Sequence, residues 1–501
     1  MRRMALALLA ASVAPFPLHA QTAPAPVTVA DVATLAPALD TMFEAWMRDN
    51  HVPGLVYGIV RDGRLEHVKG FGTQDQVGKR EVTADSRFRI ASMSKAFTAL
   101  AILKLRDAGK LSLDAAAETY LPELRGWKYP TTDSPKITVR DLIHHNAGFV
   151  EDNPWGDRQQ AISEADFTRM LRDGVPFANA PGVTMEYSNL GYAALGRIVS
   201  NVSGVSYQRY IAHEIFAPLG MTATGYDVMA SPQAQRALGY RWQDGGWVRE
   251  PEMADGAFGA MGGMETTAND YARWLSFLLS AWPARDGSDT GPVKRATVRE
   301  IVEGAGFAVG TMRSAAVGAP CRQANGYGMG WRVLDDCDVG RIVTHGGGYP
   351  GYGSTVMLLP DAGVGVFAFA SRTYAGPAQP ALRALLALKE AGLASRRSLP
   401  VSTGLAAAYD AAKAAWTTGD PAKAPLAVNV ALDRDLARRK AELTDLTAKV
   451  GACAMSEAIR PISAMEGTFE WTCEKGRILG RVQRAPTPTL SLQVLNFGSP
   501  D

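Results

Sequence analysis

Apolar residues recur at helical spacing from Leu39, and the pattern runs out near Asn50, which predicts a helix over that stretch. Leu55 to Arg61 is then rich in strand formers, Asp62-Gly63 is a two-residue turn signal, and Arg64 to Gly70 returns. That sequence predicts a hairpin opening an antiparallel sheet. From Ala96 to Leu103 the chain is apolar on every side, as in a helix with no solvent face, and Gly109 supplies its stop. Further helical stretches follow at Phe167 to Leu171 and Leu190 to Val199, and a capping-box pattern from Thr267 to Asp270 opens another helix through Leu279. Strand-like segments return late, at Gly330 to Leu334, Arg341 to His345, Ser354 to Leu359 and Gly363 to Ala370. Strands at both ends with helices between them predict one α+β domain. Its terminal parts pair in a single sheet, and its middle forms a helical subdomain across a cleft.

Composition shifts mark the borders of that domain. A Pro- and Ala-rich stretch from Gln21 to Ala38 reads as a flexible lead-in, and beyond Ala391 the run Ser395 to Pro400 reads as a linker. Ala-rich helices and three strands from Gly467 onward follow. The expected organisation is a signal peptide over 1–20, a lead-in over 21–38, a main domain over 39–390, a linker over 391–399 and a small C-terminal α+β domain over 400–501. No role for the last domain is legible.

The signal peptide rests on Arg2 and Arg3, the apolar run Met4 to Val13 and the small-residue exit at His19-Ala20. Pro15 and Pro17 interrupt a run already too short to cross a bilayer, so no integral membrane span is expected and the mature chain is placed in the periplasm or outside the cell. Apolar residues make up 47% and charged residues 20% of the 501, which describes an ordinary globular chain. The 52 basic and 50 acidic residues leave a formal +2, so no overall field favours nucleic acid or an anionic membrane. The four cysteines form two local pairs, Cys321 with Cys337 and Cys453 with Cys473, and in an oxidising compartment two disulfides are the natural reading, with free thiols as the alternative. No Cys-x-x-Cys or His-Glu-x-x-His occurs, so no metal and no cofactor is expected.

Ser92-Met93-Ser94-Lys95 sits at the start of the buried helix, after the strand-like Phe88-Arg89-Ile90. Residues i and i+3 share a helix face, so the Lys95 amine comes within reach of the Ser92 hydroxyl. A serine hydroxyl is a weak nucleophile until a base takes its proton, and lysine is a base only when neutral. Burial supplies that: moving an amine from about 10.4 to about 7 costs roughly 4 to 5 kcal/mol, within the range of desolvation. A second element, Tyr187-Ser188-Asn189, offers a phenol to relay a proton and an amide to orient lysine and substrate. A third, His345-Gly346-Gly347-Gly348, ends a strand and lets backbone approach a ligand, so that the Gly348 N–H can join that of Ser92 as an oxyanion hole. Each motif alone also fits a packing role: a capped helix with a surface lysine, a buried aromatic, a glycine turn.

Taken in order, Phe88 to Lys95, Tyr187-Ser188-Asn189 and His345-Gly346-Gly347 resemble the serine β-lactamase-related family, in its class C, D-aminopeptidase and family VIII esterase branch. Asp141 to Gly148, Gly262-Gly263-Met264 and Tyr327 to Trp331 also look like segments of that family, and the likeness covers roughly Leu39 to Leu388. It implies a β-lactamase/transpeptidase-like antiparallel sheet flanked by helices, with Ser92 as the acylated nucleophile, Lys95 as its base partner and Tyr187 as the proton relay. Asn189, His345, Gly347 and Gly348 would hold substrate, and His145 would support a loop. His345 departs from the usual Lys-Thr-Gly, and a neutral histidine holds a substrate carboxylate less well than a permanent cation. The resemblance therefore implies a small ester, amide or D-amino-acid peptide as substrate rather than efficient penicillin turnover. A catalytically silent recognition module is the alternative from another class. His144 and His145 are adjacent, so their side chains diverge and do not suggest a metal pair, and no Gly-x-Ser-x-Gly points to an α/β-hydrolase. The loop from Glu151 to Gln160, with Trp155, is expected to shape the mouth of the cleft.

Overall fold

The computed structural model describes residues 31–302 and 306–500. The expected signal peptide, and the lead-in as far as residue 30, lie outside the described residues. Two compact units emerge, one running to Ser398 and one starting at Leu399.

The larger unit is built on an eight-stranded antiparallel sheet. Its strands are β1 (Gly54–Arg61), β2 (Arg64–Gly72), β3 (Gly306–Met312), β4 (Arg322–Tyr327), β5 (Arg332–Asp336), β6 (Gly340–Tyr349), β7 (Tyr352–Leu359) and β8 (Val364–Ala370). They lie in the order β2-β1-β8-β7-β6-β5-β4-β3, so the first hairpin completes a sheet made otherwise from the last third of the unit. Leu55 faces Ala370 in register and His345 faces Val356. The central strands are buried on both faces, which is why their sequences are almost unbroken apolar runs.

Period two then sorts side chains to two cores. Leu55, Tyr57 and Ile59 join Phe43, Leu385 and Leu388 on one face, beneath α1 (Val32–Asp49) and a later helix over Ala378–Glu390. Val56, Val60, Phe367 and Phe369 join the helical side on the other, where α2 (Lys95–Asp107) is enclosed as its all-apolar surface predicts. The Phe97 ring stacks on Trp274 at 4.1 Å, and α3 (Asn189–Ser203) packs beside α2.

Three expectations change. The first helix starts at Val32, not Leu39, because Asp31 caps it by accepting the Thr34 N–H at 2.8 Å and Val32 and Ala36 are buried; the lead-in is thus helical from that point. Ser92 lies in a 3-10 turn, Ala91–Ser94, with the α-helix proper beginning at Lys95. The strand expected to stop at His345 runs on to Tyr349, so the third motif forms the last part of β6, and β3 and β4 had no alternating pattern to announce them. The helical middle also carries a small hairpin, Tyr240–Gln243 with Gly246–Arg249.

Gly330, between β4 and β5, has φ +79°, and a Cβ there would sit 2.9 Å from both the Ala96 Cα and the Lys95 carbonyl oxygen. Gly330→Ala therefore strains a left-handed residue and pushes on the turn that carries Ser92 and Lys95 at once. It should lower stability by more than about 1 kcal/mol in thermal or urea unfolding.

The second unit has its own core of Leu405, Tyr409, Trp416, Phe469, Trp471 and Ile478. Helices over Thr403–Thr418 and Leu436–Val450 pack with strands over Glu466–Cys473, Gly476–Arg484 and Leu492–Gly498, joined by two short strands. Both cysteine pairs are disulfides; Cys453–Cys473 ties the short strand Cys453–Ala454 to the strand ending at Cys473.

Candidate active site

The chain enters the site through Phe88–Arg89, paired with Glu265–Thr266, and turns at Ala91. Ala91 has φ +50°, a left-handed conformation that a residue with a Cβ rarely adopts, and it swings Ser92 to the front of the turn. β6 runs alongside that turn. A Cβ at Gly347 would lie 2.3 Å from the Ile90 carbonyl oxygen and 2.2 Å from Ser354 Oγ, so only glycine permits the approach. Gly348 lies one residue on, facing the Tyr374 ring, whose Cδ1 would stand 2.7 Å from an added Cβ.

Lys95 is 0% exposed, and its Nζ has three neighbours: Ser92 Oγ at 3.1 Å, Asn189 Oδ1 at 2.7 Å and the Met261 carbonyl at 2.8 Å. The last two can only accept hydrogen bonds. A neutral amine has two N–H groups, which they take up, and the remaining lone pair is then directed at Ser92. Burial lowers the Lys95 pKa to about 7, against the opposing charges of Asp157 and Asp152. The amine is thus poised to titrate where a general base is useful.

Tyr187 is 8% exposed, and its ring centroid lies 4.9 Å from Lys95 Nζ. Burial pushes its phenol well above the ordinary range, while a bond with the Ser92 side chain works the other way. The phenol is therefore protonated, able to donate and to pass a proton on. Asn189 opens α3, and Asp152 holds that end by accepting the Asn189 and Leu190 N–H groups at 2.6 and 2.8 Å. The Asn189 amide nitrogen donates to Asn153, which fixes its oxygen toward Lys95. The neighbouring short helix, Asn153–Arg158, comes so close that a Cβ on Gly156 would lie 2.6 Å from the Asn189 Cβ.

His345 is buried, and burial together with the Lys95 charge pushes its pKa down to about 3, so it is neutral. Its Nδ1 lies 2.6 Å from the Gly346 carbonyl, which only accepts, and its Nε2 lies 3.0 Å from the Tyr327 hydroxyl. The proton therefore sits on Nδ1 and Tyr327 donates to Nε2, so both ring nitrogens are engaged internally. His145 accepts the Ser188 N–H at Nδ1 (3.1 Å), and its ring lies tilted against that of Tyr187 with centroids 4.3 Å apart, holding the second motif from behind. His144 bonds the Tyr327 carbonyl. Trp155 is 46% exposed, its edge against Phe258.

Ser92, Lys95, Tyr187 and Asn189 thus meet at one point, with β6 beside them. Sequence reasoning passed over Asp152, Asp157 and the Met261 carbonyl, which act across long separations without a local signature. Tyr327 did stand inside a noted stretch, but nothing in its spacing tied it to His345.

An antiparallel sheet with helices on both faces, and a sealed lysine held against a serine beside an inner strand, define a β-lactamase/transpeptidase-like protein. The Beta-lactamase family pattern matches residues 39–390, and the chain belongs to that family. Protein flp of Staphylococcus aureus (strain COL) is 29% identical over 340 residues, 66% of this chain and 62% of that protein, so the chain spans less than two thirds of that relative. The octameric penicillin-binding protein homologue from Pyrococcus abyssi shares the fold over 92% of this chain and 99% of its own, at 20% identity and a TM-score of 0.59. A class C beta-lactamase shares it over 71% and 96%, at 20% identity and 0.56.

Proposed function

We propose that the protein is an exported acyl hydrolase that works through a covalent Ser92 ester on a small ester, amide or D-amino-acid peptide. The observation that supports this most directly is the pair of obligate acceptors on Lys95, which leave its lone pair to Ser92. Lys95 takes the hydroxyl proton as Oγ adds to the substrate carbonyl. The N–H groups of Ser92 and Gly348 stabilise the oxyanion. Tyr187 passes the proton from Lys95 to the leaving oxygen or nitrogen, the bond to it breaks, and water then releases the acid from Ser92. His345 offers no charge and no free nitrogen, so a substrate carboxylate gains little at the third motif.

Two measurements test the reading. A fluorophosphonate probe should add to Ser92, seen as a single modified peptide by mass spectrometry; an unmodified Ser92 points to a silent binding module. Across p-nitrophenyl esters, D-alanyl peptides and nitrocefin, kcat/KM should be lowest for nitrocefin by at least about tenfold, the factor that corresponds to one lost charge-assisted contact. Faster nitrocefin turnover would refute the role given to His345.

A further inference from the structure

The Met261 carbonyl that accepts from Lys95 ends a 3-10 turn, Gly259–Met261, in a stretch where four of the eight residues from Gly256 to Gly263 are glycine. Glycine backbone loses more freedom on ordering than any other, so the neighbours of the turn have to impose its geometry. On one side α2 does so: Thr98 Oγ1 donates to the Ala260 carbonyl at 2.7 Å, and Lys95 Nζ to that of Met261 at 2.8 Å. On the other side stands Asp255.

Asp255 Oδ1 fills the hollow of the turn: a Cβ at Gly259 would lie 1.6 Å from it, and one at Gly263 2.5 Å. The carboxylate is held from the short helix Tyr207–Ile211. Gln208 Nε2 donates to Oδ2 at 2.8 Å. The single hydroxyl hydrogen of Tyr207 is shared among Oδ1 at 3.2 Å, Oδ2 at 3.1 Å and the Gly256 carbonyl at 2.9 Å. One side chain therefore ties both ends of the glycine stretch to a helix outside it. Burial raises the Asp255 pKa to about 6, against these bonds and the Arg89 charge, so above that pH the group is an ionised acceptor. The charges that act on Lys95 are those of Asp157 and Asp152, so Asp255 reaches the base through the turn and not through its field.

We propose that Asp255 is a positioning residue for the base: it braces the glycine turn against α2, so that the Met261 carbonyl keeps one Lys95 N–H occupied and the lone pair stays on Ser92. The inference rests on the acyl-hydrolase reading given above. Asp255 supplies no proton and makes no contact with substrate. Without the brace the carbonyl drifts, and a misplacement of about 1 Å can cost about 100-fold in rate.

In the full chain at about pH 8, where Asp255 is ionised, Asp255→Ala should slow fluorophosphonate labelling of Ser92 by about 10- to 100-fold while the labelled fraction still reaches completion. For a p-nitrophenyl ester kcat should fall, with KM within about twofold of the parent. The rising limb of rate against pH should also move down, because the ammonium form of Lys95 loses more with the carbonyl acceptor than the neutral amine does. Asp255→Asn keeps an acceptor oxygen for Gln208 and should restore the rate to within about fivefold of the parent. Should Asp255→Ala fail to fold, Tyr207→Phe, which removes the hydroxyl and keeps the ring, should show the same pattern at about three- to tenfold. An unchanged rate overturns the proposal. So does a labelled fraction that falls while the rate constant and the limb stay in place, which marks a role in stability alone. A parent protein that never labels at Ser92 refutes the acyl-hydrolase reading itself, and this inference with it.

Discussion

Ser92→Ala should lower kcat/KM for a p-nitrophenyl ester by at least about 10⁴-fold, the scale seen when a nucleophile is removed from a preorganised site. The loss should appear in kcat and be matched by complete loss of fluorophosphonate labelling. Lys95 keeps both of its obligate acceptors in the variant, so the folded state has little to reorganise. Its unfolding free energy should remain within about 1 kcal/mol of the parent. Ester turnover that survives the substitution would place the chemistry elsewhere in the molecule.

The second large effect is on pH dependence. Only the neutral Lys95 amine accepts the Ser92 proton, and its pKa lies at about 7, so kcat/KM should climb as pH rises through 7 and level off above it. Asp157 and Asp152 hold that value up against burial. Asp157→Asn removes the larger of the two opposing charges and makes deprotonation easier, so the rising limb should move to lower pH, by up to about one unit. The variant should therefore gain activity near pH 6 relative to its own plateau. A limb that stays in place, or moves up, would mean that Lys95 is not the titrating base. The pH dependence of the labelling rate reads the same group without involving product release.

Much of this arrangement was legible in the chain. The i, i+3 spacing of Ser92 and Lys95 follows from helix geometry, and the all-apolar surface of Ala96 to Leu103 already implied the burial that shifts the amine. The early hairpin and the late strands implied a sheet closed from both ends of the unit. What escaped depends on contacts between distant residues. Asp152 reaches the start of α3 from 37 residues away, and Tyr327 reaches His345 from across the sheet. The left-handed Ala91 has no sequence signal, since glycine or asparagine is the usual mark of that conformation. β3 and β4 lie at the far edge of the sheet, and β4 leaves every residue but Tyr327 exposed or half-buried, so little burial imposes an apolar pattern on it.

The enclosure of Lys95 has one more consequence for the proposed chemistry. With no surface of its own open to solvent, the amine exchanges protons with bulk water only through the groups it touches, and of these Ser92 Oγ alone can both give and take a proton. A substrate seated on Ser92 therefore stands between the base and the water that resets it.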